Sequence, residues 1–411
     1  MTRKIVLFEL NEVPWCIVDD QVARRPDGAL ASMLRRSAQY ETVAADKGHL
    51  SPWRTWPSVH RGVPDERAPP PELTTFQAFN LAMTRRSARN VDSSVSWSRA
   101  ARLFASSRAF GIRAATYRSL VAQLVAERRR PGRRARRRTF QAVLAFDVFT
   151  AQLERSRPDF CTFFSNHVAS AMHRYWAATY PTDYDELDLD DDWTTAHAEE
   201  IPWAMDQAET MLARLVEFAD AHPEYQVWTA SSMGQRATMA EALETAVYLV
   251  DLATFMRRLG MPEGCWEARP AMLPQTNVVV HGALASTFER ELTKVHLVDK
   301  PLRYRRTDDG FFSMDLGHAN MHTRPTPVRY RGGRHPLAEF GMKAVEIEDR
   351  SGTTAYHVPE GILAVYDPRA MAAGAADRPR ISTLEIAPAL LTSCGVAPPS
   401  YMTRQTIVSP G

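Results

Sequence analysis

The sequence predicts an α/β protein with a doubly wound, mainly parallel central sheet flanked by helices and interrupted by an inserted helical cap. Three observations carry this expectation. Short apolar runs that end in polar residues recur at 4–10, 159–165, 226–230 and 361–366. Their apolar character is continuous rather than alternating, as in strands buried on both faces of a parallel sheet. Longer stretches with helical apolar spacing separate them, most clearly at 198–219, and parallel strands need such crossovers.

The elements follow in order. Ile5-Val6-Leu7-Phe8 forms the heart of the first strand. Residues 50–63, rich in Trp, Pro and Ser, read as a loop leading into a helix, and Pro69-Pro70-Pro71 opens an insertion. Residues 71–150 are expected to be that insertion, a mostly helical, Arg-rich cap. The arginine run from Arg128 to Arg138, broken by Pro131-Gly132, reads as a solvated, partly disordered loop between two cap helices or as a sleeve for an anionic substrate or partner. The acidic run from Asp183 to Asp192 lacks the Gly and terminal Glu of a calcium loop and reads as solvated surface. Residues 240–340 read as helix mixed with polar loops. Late strands are expected at 344–347 and 361–366, and a closing helix at 381–394 stops at Gly395. The expected division is an α/β core of 1–70 and 151–411, with substrate-side insertions around 265–340, and the cap of 71–150.

Bulk properties narrow the function classes. A chain of 411 residues with 45% hydrophobic content can bury a large core. A net charge of +2 gives no general case for nucleic acid. Cys16, Cys161, Cys265 and Cys394 are far apart, so reduced buried thiols are expected rather than a zinc cluster or disulfide framework. The first apolar run is too short for a secretory leader, and no stretch reaches membrane-spanning length. A cytoplasmic protein without nucleic-acid or membrane partners is the expectation.

Six segments carry the functional reading. The first is Ile5 to Glu12, which ends in Asn11-Glu12. The second is Arg54-Thr55-Trp56-Pro57-Ser58, a hydroxyl at a helix start, where free N–H groups favour a bound anion although a simple N-cap would look the same. The third runs from Ser165 to Trp176 and contains Asn166, His167, Ala169 and His173. The fourth is Val227-Trp228-Thr229-Ala230-Ser231-Ser232-Met233-Gly234. The fifth is Thr354 to Gly361, with His357. The sixth is the closing helix around Leu384 to Leu391. In this order they resemble the alkaline phosphatase superfamily, closest to its type I phosphodiesterase and nucleotide pyrophosphatase branch. The resemblance covers both ends and the middle of the chain, but not the regions around 70–150 or 265–340.

The resemblance implies a two-metal site, and this chain departs from it. The family's metal-binding Asp after the first strand is Asn11 here, its strand-end Asp-His pair is Ser232-Met233, and the Asp four residues before His173 is Ala169. One metal should therefore be lost. The other keeps His173 and His357, a weak site for at most one divalent ion, zinc or manganese, unless Glu9, Glu12 or His167 completes it. Thr55 matches the family's nucleophile. The expected function is hydrolysis or transfer of a phosphoryl-, sulfuryl- or acyl-type ester on a small anionic substrate. Thr55 would attack, His173 and His357 would act as base or ligands, and Asn11 and Ser232 would stabilise developing charge. The alternative is an inactive relative that binds an anionic ligand or partner. Asn166, His167, His318 and His322 are the expected substrate-side residues, the last two four apart in a possible insertion.

Overall fold

The computed structural model describes residues 2–44, 110–269, 271, 275–297, 300–307, 310–315, 327–347, 350–370, 378–400 and 402. Of these, 2–44, 110–241 and 352–402 form one compact unit and 242–351 a second.

In the first unit the longer strands are β1 (Lys4–Leu10), β2 (Ser37–Val43), β3 (Phe160–Ser165), β4 (Tyr225–Ala230), β5 (Gly234–Ala237), β6 (Ala355–Val358), β7 (Glu360–Tyr366) and β8 (Arg380–Ser382), beside a two-residue pair, Leu187–Asp188 with Ala240–Glu241. Six of them make a central sheet in the order β8-β2-β7-β4-β1-β3. Pairs β1–β3, β1–β4 and β2–β8 are parallel, and β7 runs antiparallel to both neighbours. The architecture is thus mixed α/β with a mainly parallel central sheet.

Side-chain alternation explains why both faces are covered. Val6, Phe8, Leu10, Val227, Ile362 and Ala364 enter one apolar cluster. Their neighbours Ile5, Leu7, Trp228, Ala230, Leu363 and Val365 enter another. A strand that feeds two cores must be apolar throughout, which is why these runs do not alternate. The first cluster is roofed by α1 (Trp15–Arg24), α2 (Ala29–Arg35), α4 (Arg137–Ser156), α5 (His167–Thr179) and α6 (Glu200–Ala221). The second packs on α7 (Ile386–Ser393). Phe8, Tyr225 and Trp228 are wholly inaccessible, each contributing roughly 1.5–3 kcal/mol by burial.

Close backbone approach fixes the strand ends. A Cβ on Gly361 would lie 2.5 Å from the Ser231 carbonyl and 2.6 Å from Thr42 Oγ1. Gly361→Ala is therefore expected to lower stability by about 2 kcal/mol through overpacking, read as a lower urea midpoint at unchanged slope. An unchanged midpoint would show that the strands separate freely here.

The arginine run is more ordered than a solvated loop. Helix α3 (Ala114–Arg129) leads into a 3-10 turn, Pro131–Arg136, and then directly into α4. The Arg136 guanidinium donates to both Glu200 oxygens at 3.0 Å and lies 4.8 Å from the Trp203 ring centre. Arg137 donates to both Glu127 oxygens through Nε and to Oε2 through Nη2. The first pair holds the turn against α6, and the second ties the start of α4 to the end of α3. The expected cap boundary near 150 falls inside α4, whose Phe146 and Leu153 belong to the main core.

The second unit has the expected helices, at Leu252–Arg258 and Leu284–Leu292, and antiparallel strands where polar loops were expected. Arg303–Arg306, Phe311–Asp315, Gln275–Val280 and Trp266–Arg269 form one sheet in that order. Met342–Glu346 pairs with Thr245–Leu249. Phe312 and Met314 are buried while Phe311, Ser313 and Asp315 are half-buried. With only one face packed, such strands keep polar residues and give no long apolar run.

Candidate metal centre

The carboxyl ends of β1, β3 and β4 lie side by side, with Leu10 opposite Ser165 and Glu9 opposite Ala230. That edge is where open α/β sheets bind ligands. The chain turns there at Asn11-Glu12, tied by Asn11 N–H donating to the Ser165 carbonyl at 3.1 Å.

Glu12 has φ of +60°, a conformation that costs a non-glycine residue roughly 1–2 kcal/mol. The turn aims its carboxylate inward, where it is 1% exposed. Asn11 Nδ2 donates to Oε1 at 2.9 Å and Gln235 Nε2 donates to Oε2 at 2.6 Å. His173 Nε2 lies 2.9 Å and His357 Nε2 3.3 Å from the same Oε2. Burial pushes the Glu12 carboxyl up, but the charges and hydrogen bonds of the two imidazoles outweigh it and hold it well below the usual carboxylate range.

Each imidazole is positioned by a different element. His173 sits on α5, one turn beyond Ala169. The carbonyl of His173 accepts from Thr354 N–H at 2.6 Å, which docks the helix on the segment entering β6. Its Nδ1 is 2.7 Å from the Ala355 carbonyl. A carbonyl can only accept, so Nδ1 carries a proton, and Nε2 faces Glu12. His357 lies on β6, in register with Gln235 on β5, and the exposed Tyr356 ring stacks on it at 4.3 Å.

These three side chains fit a divalent cation. Among the described residues they are the only group of at least three His, Cys, Asp or Glu whose ligand atoms all lie within 4.8 Å of one another. Zinc bonds of about 2.0–2.2 Å in a tetrahedron separate ligand atoms by about 3.3–3.5 Å, close to the 2.9 and 3.3 Å seen here. Two histidines and one carboxylate are the donor set of open catalytic zinc sites, with a fourth position left for water or substrate. The His173 bond to a carbonyl is the outer support such ligands normally have.

The expected residues fare differently. His173 and His357 are brought together, and the carboxylate that joins them is Glu12. Ala169 is buried and offers only its carbonyl, which accepts from Gln235 at 3.2 Å. Asn11, Ser232 and Met233 are buried at the strand ends, with no carboxylate or imidazole among them for a second cation. Glu9 accepts from the Thr162 hydroxyl and stays outside the cluster. Asn166 is exposed and accepts from Asn11 Nδ2 at 2.7 Å. His167 corrects its expected substrate role. Its Nδ1 meets the Ser165 hydroxyl at 2.6 Å, its Nε2 meets the Ala204 carbonyl at 3.1 Å, and burial pushes it down to about 4. It is a neutral core histidine. Thr55, His318 and His322 lie outside the described residues. Gln235 was not anticipated, and its polar strand gives no signal that it faces a carboxylate.

No protein-family model matches the chain, and no curated protein matches it by sequence. Among solved structures it is similar to murine ectonucleotide pyrophosphatase/phosphodiesterase 5. An inactive form of that protein in complex with AMP aligns with a TM-score of 0.40 and 8% identity over 98% of this chain and 97% of that one. A second structure of the murine protein gives 0.41 and 7% over 98% of both chains. The α/β class of the present chain rests on its own sheet and two packed faces.

Proposed function

We propose that this chain is a hydrolase or transferase of small anionic esters, phosphoryl-type first, built around one divalent cation rather than two. The observation that carries the reading is the meeting of Glu12, His173 and His357 at the carboxyl edge of the sheet. Glu12 supplies the carboxylate that Ala169 cannot. A cation bound there would stabilise negative charge developing on the ester, the main difficulty in phosphoryl transfer.

The chain's own groups take defined parts. Gln235 and Asn11 hold the Glu12 carboxylate from both sides, so Asn11 is a positioning residue whose amide is shared with Glu12 and Asn166. Tyr356, 52% exposed beside His357, offers a rim contact for the substrate. Thr55 is proposed as the attacking hydroxyl through its motif alone.

The test is metal content by plasma mass spectrometry, followed by turnover of bis-p-nitrophenyl phosphate, p-nitrophenyl phosphate, sulfate and acetate with zinc or manganese. The expected result is about one ion per chain and metal-dependent nitrophenolate release from a phosphate ester, lost in Thr55→Ala. Failure to retain any ion overturns the reading. One observation favours a second reading, a binding protein without turnover: Met233 is apolar and wholly buried where the resemblance expects a ligand. One bound ion, no turnover and stabilisation by inorganic phosphate would support it.

A further inference from the structure

The later turns of helix α3 bury polar side chains and expose apolar ones. Its buried residues are Thr116, Gln123 and Glu127. Thr116 donates to Asp147 at 2.6 Å, Gln123 donates to the Arg133 carbonyl at 2.7 Å, and Glu127 pairs with Arg137 at 2.6 Å. Tyr117 and Leu120 pack against the cluster of Phe110, Ile112, Leu144 and Val148, but three apolar residues of its later turns face out: Val121 is 61% exposed, Leu124 55% and Val125 46%. A surface helix ordinarily does the reverse.

Charge brackets this apolar row. Helical spacing puts Arg118, Val121, Val125 and Arg128 along one stripe, with Leu124 beside it. Arg129, Arg130 and Arg133 line an open groove of about 460 Å³ with Ala122, Val125 and Ala126. Arg118, Arg128, Arg129, Arg130 and Arg134 are exposed and have no acidic partner among the described residues, whereas Arg136 and Arg137 are paired. The run therefore splits into arginines that hold the fold and arginines left for something else.

We propose that this face of α3 and the turn after it docks on an anionic phospholipid bilayer surface. A partner made of phosphates alone would use the arginines and leave Leu124 in water. An apolar partner would leave the arginines uncompensated. A bilayer with anionic headgroups satisfies both, taking a shallow apolar row between cationic ends. Among the described residues helix α3 packs chiefly on the 131–136 turn and α4. Bilayer docking departs from the expectation of no membrane partner. Among the described residues no helix is long and apolar enough to cross a membrane.

The test is co-sedimentation of the full chain with phosphatidylcholine vesicles, with and without about 30% phosphatidylserine, at about 0.15 M salt. The expected result is at least roughly tenfold tighter binding to the anionic vesicles. Leu124→Asp should weaken it by about tenfold, and Arg128→Glu with Arg129→Glu and Arg130→Glu should abolish it, with unchanged unfolding midpoints. Arg350→Glu, an exposed charge elsewhere, should bind as wild type does. Wild-type protein left in the supernatant with anionic vesicles overturns the proposal, as does equal binding by all variants. Self-association that the same substitutions abolish, without vesicle binding, assigns the face to a second copy and overturns it as well.

Discussion

Glu12→Gln is expected to weaken zinc binding more than about 100-fold, because ligands matter at least as much as their outer supports, which are worth about 10–100-fold. The change preserves size and removes the charge that draws both imidazoles together. It also breaks the local hydrogen-bond logic. Asn11 donates to one Glu12 oxygen and Gln235 to the other, so a glutamine amide must turn its own N–H₂ toward one of these donors. Glu12→Asp keeps the charge on a shorter arm and should fall between wild type and Gln. Calorimetric titration gives the affinity, and thermal unfolding gives an independent readout. Zinc at 100 times its dissociation constant should stabilise wild type by about 2.7 kcal/mol and leave Glu12→Gln nearly unmoved. Zinc affinity equal to wild type in a folded Glu12→Gln protein would remove Glu12 from the centre.

The same residue shows where sequence reading stops. Strands β1, β4 and β7 are legible because each feeds two cores and must be apolar throughout, whereas β3, expected to be buried on both faces, is an edge strand that buries Phe163 and leaves Phe160 and Phe164 exposed. Strand β2 is not legible. Its Ser37–Val43 segment is mostly half-buried and polar, and it is recruited as an antiparallel neighbour of β7. The strands of the second unit fail for the same reason. At the site, His173 and His357 are visible through their motifs. Glu12 is visible only as a carboxylate next to Asn11, since the left-handed turn that swings it inward is a backbone event. His167 misleads because a histidine beside Asn166 looks like site chemistry, while the start of α5 turns it toward the Ala204 carbonyl.

His167 yields the second large effect, on stability against pH. Burial holds its folded value near 4, below the ordinary 6.5. Between those values the unfolded chain takes up a proton that the native imidazole refuses, so native stability falls as pH falls from about 6.5 to about 4. A shift of that size corresponds to about 3 kcal/mol. Glu12 acts in the same direction at lower pH. Its folded value is depressed, so its contribution is present above the unfolded carboxylate range, near 4.3, and is lost only as pH falls below it. The two windows are therefore separable. His167→Gln keeps a donor for the Ala204 carbonyl and cannot titrate. Urea unfolding at pH 7 should find it less stable than wild type through imperfect packing. Near pH 4.5 the gap should narrow or reverse, because wild type has lost most of its His167 contribution and the variant has none to lose. Parallel curves for the two proteins across this range would mean that the His167 imidazole takes its proton inside the native fold.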